Sequence, residues 1–299
     1  MFLAPIALFA YDRLSHLRQT VESLKENDFA KDSDIFIFSD GPRGNSSVSK
    51  VEEVREYLTK IDGFKNIKII KRESNFGLAK SIISSVTEVL ELYGKVIVLE
   101  DDIVTSPFFL KFMNASLELY EKEEKVISIH GYIYPVESKL PETFFIRGAD
   151  CWGWATWKRG WDLFENNGSL LFEELKKRNL MKAFDFNGTY PFTEMLKAQI
   201  VGENNSWAIR WYASAFLNNK LTLYPGRSLV CNIGNEGSGT HCGVNYSYDV
   251  TLAQTAIDVK GIEVSENGDA RKAFEEFFQT QKSSFFIRLK LKIKEILWR

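Results

Sequence analysis

Cysteine is scarce in this chain: Cys151, Cys231 and Cys242 are the only three in 299 residues, and no two form a CxxC pair. The odd count excludes a disulfide framework, the spacing offers no zinc site, and both fit a reducing compartment. Charge of one sign is not in excess, since 38 Lys and Arg stand against 40 Asp and Glu. A nucleic-acid binder would carry a basic surplus, so that class is set aside. No apolar run is long enough to cross a bilayer. Met1 to Ala10 is short and lacks a basic leader, so it reads as a first strand, not a signal peptide or membrane helix. A cytoplasmic protein is expected. There is no GxSxG elbow, no Ser-His-Asp arrangement, no internal repeat and no low-complexity linker, which favours one two-lobed domain. What the chain has in plenty is apolar and aromatic side chains, 44% and 14% of the residues, enough to fill a substantial core.

Two periodicities alternate through the first third. Apolar runs at Pro5–Ala10, Ile35–Phe38, Ile67–Ile70 and Val96–Leu99 predict strands. The intervening segments Leu14–Glu26, Val51–Thr59 and Leu78–Tyr93 carry apolar residues at helical spacing. Such alternation implies a mostly parallel sheet with helices on both faces. After Asp102 the pattern is mixed. It predicts a helix near Pro107–Lys122, strands at Val126–His130 and Phe144–Arg147, Trp-rich helical stretches from Trp152 to Asn218, and strands at Leu221–Tyr224 and Ser228–Ile233. Gly234–Gly243 reads as a closing loop.

The chemistry concentrates at strand ends. Val96-Ile97-Val98-Leu99 runs straight into Glu100-Asp101-Asp102, while Tyr11-Asp12-Arg13 and Ser39-Asp40-Gly41 follow two other strands. In open α/β sheets ligands bind outside the carboxyl ends of the strands. Three adjacent carboxylates repel one another unless a cation neutralises them, and hard oxygen donors suit Mg²⁺ or Mn²⁺. The bland alternative is an acidic turn at the N-terminus of a helix starting near Ser106-Pro107.

With these acids in place, the chain resembles the GT-A glycosyltransferases, in particular the family-2-like enzymes and N-acetylglucosaminyltransferase I. The stretches that carry the likeness are IALFAYDR, FIFSDGPRG, VIVLEDDIVTSPFF, FFIRGADCWGWATWKRGW and the segment from Asn205 to Cys242. The resemblance implies a GT-A nucleotide-diphospho-sugar transferase fold over residues 1–243. Residues 1–102 would form the nucleotide-sugar half and 103–243 a smaller acceptor-side half, with an extension over 244–299. It implies that Arg13 contacts the nucleotide, that Asp40 accepts a hydrogen bond from the base, which suits uracil, and that Asp102 binds the metal. Glu100 and Asp101 would hold sugar, ribose or metal waters. Asp150 would be the catalytic base, and Asn75 to Lys80 would lie beneath the nucleotide, with Lys80 where some relatives have Arg. The family's acid in the helix near Ser206-Trp207 is missing, Ala208 and Ile209 standing there, with Glu194 and Glu203 as substitutes.

Several residues keep two readings. Asp150 is also a fair helix N-cap, with Trp154, Trp157 and Trp161 following at helical spacing as a core stripe. Asp162 is a fallback carboxylate. Trp152 lies off that stripe and offers an indole face to an acceptor sugar. His241 follows a glycine-rich loop, where it is either a metal ligand or a surface histidine; His16 lies on a predicted helix face, and His130 ends a short strand, where it either lines the donor-sugar pocket with Gly131 and Tyr132 or is buried in the core. The tail 283–299, SSFFIRLKLKIKEILWR, is basic with apolar and aromatic residues interspersed. It suits an anionic membrane surface, hence a peripheral place on the inner face of a membrane, or else packs on the body, its alternation even permitting a strand. The expectation is an inverting transferase using a UDP-sugar donor and a glycan or lipid-linked acceptor. A catalytically silent nucleotide-sugar or glycan-binding protein is the alternative. A sugar-nucleotide pyrophosphorylase would need a glycine-rich, basic phosphate loop after the first strand, and Tyr11-Asp12-Arg13-Leu14 is not one.

Overall fold

A computed structural model describes residues 2–234 and 246–297, with side chains as far as Lys282. The alternating first third folds as β1 (Ile6–Ala10), α1 (Leu14–Lys25), β2 (Asp34–Ser39), α2 (Val48–Leu58), β3 (Asn66–Lys71), α3 (Leu78–Tyr93) and β4 (Lys95–Glu100). In β1 the pleat sends Ile6, Leu8 and Ala10 to one core and Ala7 and Phe9 to another on the opposite face. Helix α1 covers the first core with Leu17, Val21 and Leu24, spaced as one helical face requires. Helix α3 covers the second with Ala79, Ile82, Val86, Val89 and Leu90. It stops at Gly94, whose φ of +74° is the left-handed cap that lets its N–H bond Leu90 O at 2.8 Å.

The second portion comprises β5 (Ile103–Thr105), α4 (Phe109–Leu119), β6 (Val126–His130), β7 (Thr143–Arg147) and β8 (Trp154–Trp157). Helices follow: α5 (Lys158–Trp161), α6 (Gly168–Lys177), α7 (Met181–Phe184), α8 (Phe192–Ile200) and α9 (Trp207–Leu217). The chain then forms β9 (Leu221–Pro225), β10 (Val230–Asn232) and α10 (Gly268–Leu297). Eight strands make one sheet in the order β3-β2-β1-β4-β8-β6-β9-β7. β3 to β4 are parallel along the order, β8 runs antiparallel to both β4 and β6, and β6 and β9 are parallel. The expected α/β plan, a large sheet with helices on both faces, is therefore the observed one. A two-stranded ribbon, β5 with β10, stands apart.

Three expectations are corrected. Trp154 to Trp157 is a strand, not a helix, so its pleat divides the tryptophans: Trp154 joins the α3 side with Trp161, and Trp157 the α1 side. They are core residues, but not one stripe. No helix follows Asp150 for it to cap. The helix after the acids starts only at Phe109, with β5 between, so Asp102 does not sit at a helix N-terminus. The backbone of the tail is helical to Leu297, not a strand, because Leu, Lys and Ile propagate a helix already seated in the body. That seat is Ala270, Phe274, Phe277 and Phe278, all buried against Tyr212 and Tyr224. The tail's side chains beyond 282, and its membrane-facing role, lie outside the described residues. Among those residues no helix is long and apolar enough to cross a membrane.

Trp154 is fully buried, with Trp207, Trp161 and Trp211 at ring-centroid distances of 5.3, 5.7 and 6.0 Å. Trp154→Ala is expected to cost about 3–5 kcal/mol in urea denaturation; a loss below about 1 kcal/mol would show that this cluster does not bear the fold.

Candidate active site

Beta-strand β4 ends at Glu100, paired with Phe9 of β1. Asp101 and Asp102 follow at the same edge, both buried. Arg13, immediately before α1, donates from Nη2 to Asp101 Oδ1 and to Asp102 Oδ2, the latter at 2.8 Å. Backbone contacts fix the acids further: Tyr11 N–H reaches Asp101 Oδ2 at 3.3 Å, the Thr20 hydroxyl donates to Asp101 O at 2.8 Å, and Ile233 N–H to Asp102 O at 2.9 Å. The chain after β10 passes so close that a Cβ on Gly234 would collide with Asp102 Oδ2. Only glycine permits that approach.

Three carboxylates and one guanidinium leave this edge negative. Burial, then Asp102 and Asp101, push Glu100 up to about 8, against the opposing pull of Arg13. Burial pushes Asp101 up to about 6, with Arg13 opposing and Asp102 adding. Burial alone would weaken the proton on Arg13, but Asp101 and Asp102 outweigh it and hold the guanidinium charged. The donor set, hard oxygens with uncompensated negative charge, fits a divalent cation. Among the described residues no three His, Cys, Asp or Glu side chains converge on one point. The fit is therefore to an ion that takes one or two carboxylates and completes its shell from a ligand's phosphates and water.

Asp40, at the end of β2, is buried and fully engaged. Oδ1 accepts from Gly41 N at 2.9 Å and Phe76 N at 2.8 Å; Oδ2 accepts from Gly77 N at 2.9 Å and Asn75 Nδ2 at 3.1 Å. It braces the loop from Asn75 to Gly77 against the sheet, and a base contact would have to share an oxygen with these donors. Lys80, in the first turn of α3, is exposed, its Nζ 4.2 Å from the Phe76 ring centre.

Asp150 reaches the same edge from the other side. Because β8 runs antiparallel to β4, with Val98 opposite Trp154, the residues before β8 lie beside the end of β4. Four bonds hold this approach: Gly148 N to Lys220 O at 2.9 Å, Thr222 Oγ1 to Gly148 O at 2.7 Å, Gly131 N to Gly153 O at 2.7 Å, and Trp152 N to His130 Nε2 at 3.2 Å. The Cys151 thiol registers both sides, pushed up by burial first and then by Asp150, Glu100 and Asp102. Asp150 Oδ1 accepts from Cys151 N at 2.8 Å; Oδ2 accepts from the hydroxyls of Tyr134 at 3.0 Å and Tyr224 at 3.3 Å. Asp150 also lines a small cleft of about 60 Å³ with Tyr134, Phe192, Met195, Ala208 and Tyr212. It is the single carboxylate in that lining.

The remaining candidates are placed less centrally. Trp152 is half-buried, edge-on to Tyr132 with centroids 4.7 Å apart. Asp162 is a surface partner of Lys158 at 2.8 Å. Glu203 is exposed, and the exposed Glu194 pairs with Lys197 at 2.8 Å, so neither replaces the missing acid beside Ala208 and Ile209. His16 and His130 are buried; burial lowers the pKa of His130 despite Asp150 nearby. His241 lies outside the described residues. Tyr134 and Tyr224 were not singled out by sequence, where nothing distinguishes them from other aromatics near strand ends.

Two measurements test this account. Asp40→Ala should speed hydrogen exchange at the Phe76 and Gly77 amides more than tenfold, because each loses a charged acceptor worth about 1.5–3 kcal/mol; unchanged exchange would refute the bracing role. Glu100 holds its proton to about pH 8 when folded, against 4.5 unperturbed. The folded state thus binds the extra proton across that window, and stability falls as pH rises through it. With chelator present, Glu100→Gln should gain about 1–3 kcal/mol at pH 8, discounted for solvent access, and nothing at pH 4. A Gln variant less stable at pH 8 would contradict the charge crowding.

No known family model and no curated protein matches the chain. Solved structures that share part of its course include S. aureus TarS 1-349 in complex with UDP-GlcNAc, at 13% identity and TM-score 0.42, covering 77% of this chain and 58% of that one. S. aureus TarS matches at 16% identity and TM-score 0.32, over 48% of this chain and 24% of that one. The mannosyltransferase PcManGT from Pyrobaculum calidifontis, in complex with GDP-Man and Mn²⁺, matches at 11% identity and TM-score 0.31, over 45% and 36%. The chain thus spans less than two thirds of each of these proteins, and at such scores the likenesses carry no weight for function.

Proposed function

We propose that the chain is a metal-dependent, inverting glycosyltransferase that moves a sugar from a nucleoside diphosphate, most simply UDP, to a hydroxyl of a glycan or lipid-linked acceptor. The observation that carries this reading is the meeting of two carboxylate sites at one sheet edge: the crowded trio after β4, and Asp150 delivered beside it by antiparallel β8. The first is short of positive charge, as a site for a diphosphate-bound cation should be. The second faces an aromatic cleft in which it is the one carboxylate.

In this reading Asp102 would hold Mn²⁺ or Mg²⁺ with Glu100 and Asp101 beside it, and the ion would supply Lewis-acid neutralisation of charge on the diphosphate. Arg13 turns part of its charge from the acids to the nucleotide. The loop from Asn75 to Gly77, braced by Asp40, forms the floor beneath it, and Lys80 flanks that floor. Asp150 takes the proton from the acceptor hydroxyl as its oxygen bonds the anomeric carbon. The bond from that carbon to the diphosphate breaks with its electron pair on the leaving oxygen, in one displacement that inverts configuration. Half-buried Trp152 borders the acceptor's approach.

Incubation with Mn²⁺ and a panel of UDP-sugars should show slow donor hydrolysis. Asp102→Ala should abolish metal-dependent nucleotide binding in calorimetry, whereas Asp150→Asn should keep binding and lower turnover by about 10²-fold or more. Equal loss of binding in both variants would end this division of labour. Donor binding without turnover in the unaltered protein would favour the silent binding module.

A further inference from the structure

Two phenols, half-buried Tyr134 and buried Tyr224, close on one oxygen of Asp150. Tyr134 and Tyr224 donate to Oδ2 at 3.0 and 3.3 Å, while Cys151 N–H donates to Oδ1 at 2.8 Å. Neither tyrosine lies on an element expected to carry chemistry: Tyr134 follows β6 by four residues, and Tyr224 is in β9. Their rings are held from behind. Tyr134 packs on Phe274 and Phe278 of α10 at 4.9 and 4.8 Å, and Tyr224 on Phe274 at 5.6 Å and His130 at 4.9 Å. The first turns of the C-terminal helix thus serve as the wall that keeps both hydroxyls aimed at the carboxylate. Burial and the neighbouring Asp150 push both phenols well above their usual range, so each remains a donor.

We infer that Tyr134 and Tyr224 are positioning residues that hold the Asp150 carboxylate in one rotamer through Oδ2. The inference rests on the proposed role of Asp150 as base. A carboxylate that accepts several hydrogen bonds is favoured in its charged form. The proton from the acceptor hydroxyl passes to the carboxylate so held. The acceptor oxygen then keeps the electron pair with which it bonds the anomeric carbon, and the diphosphate leaves with the pair from the broken bond.

Tyr134→Phe, Tyr224→Phe and the double variant keep the rings and remove only the hydroxyls. The probe is the ¹³C carboxylate resonance of Asp150, assigned by its absence in Asp150→Asn and followed from pH 3 to 9, with ~ one unit of upward movement expected per hydroxyl removed. The acid limb of Mn²⁺-dependent turnover of UDP-sugar should rise by the same amount, with the KM for donor unchanged. Thermal unfolding checks that each variant is folded, and either single variant suffices should the double one not fold. A titration midpoint that stays put in a folded variant would overturn the clamp and leave the tyrosines as packing alone. If the unaltered protein turns over no donor, the transferase reading fails separately, and the resonance still decides the clamp.

Discussion

Everything at the functional edge depends on how the charge after β4 is balanced. Burial pushes Glu100 and Asp101 towards the neutral form, and a single guanidinium, Arg13, spans Asp101 and Asp102. A carboxylate removed from water is costly unless it is paired. Arg13 therefore ties β1, α1 and the acids into one unit, and Gly234 lets the chain after β10 close over it. The same partial neutralisation leaves the edge poised for a further cation. Stability and binding pull against each other here, as is common at sites that must accept charge.

The second requirement is the change of strand direction between β4 and β8. Had β8 continued the parallel order, its preceding residues would lie at the opposite end of the sheet, far from the acids. Antiparallel pairing with both β4 and β6 brings Asp150, Cys151 and Trp152 to the carboxyl edge of the parallel half. From there Asp150 meets two tyrosines whose rings pack on α10, so α10 contributes to the setting of Asp150. Ala253 and Ile257 join one core, and Phe274, Phe277 and Phe278 another.

Local periodicity made the first third legible. Apolar runs of four to six residues gave β1 to β4 nearly to their ends, and the three- and four-residue spacing of Leu17, Val21 and Leu24 marked α1. It misled at Trp154, Trp157 and Trp161, because three large residues at helical spacing equally fit a strand followed by one turn. Pairing on both sides by β4 and β6 settled that ambiguity, and such pairing comes from residues 24 to 62 positions away. Likewise the Leu–Lys alternation of the tail agreed with a strand until a helix already packed through Phe274 and Phe278 continued into it.

By itself the chain's order of residues determined the alternating α/β half and the row of acids at its strand ends, since both follow from neighbours within a few positions. The tertiary structure alone decided that Arg13 answers Asp101 and Asp102 across about 90 residues, that Asp40 braces the loop at Phe76, and that Tyr134 and Tyr224 converge on Asp150. These are contacts between segments distant in sequence. Strand order and direction create them, and no local pattern of side chains encodes which strand will lie beside which.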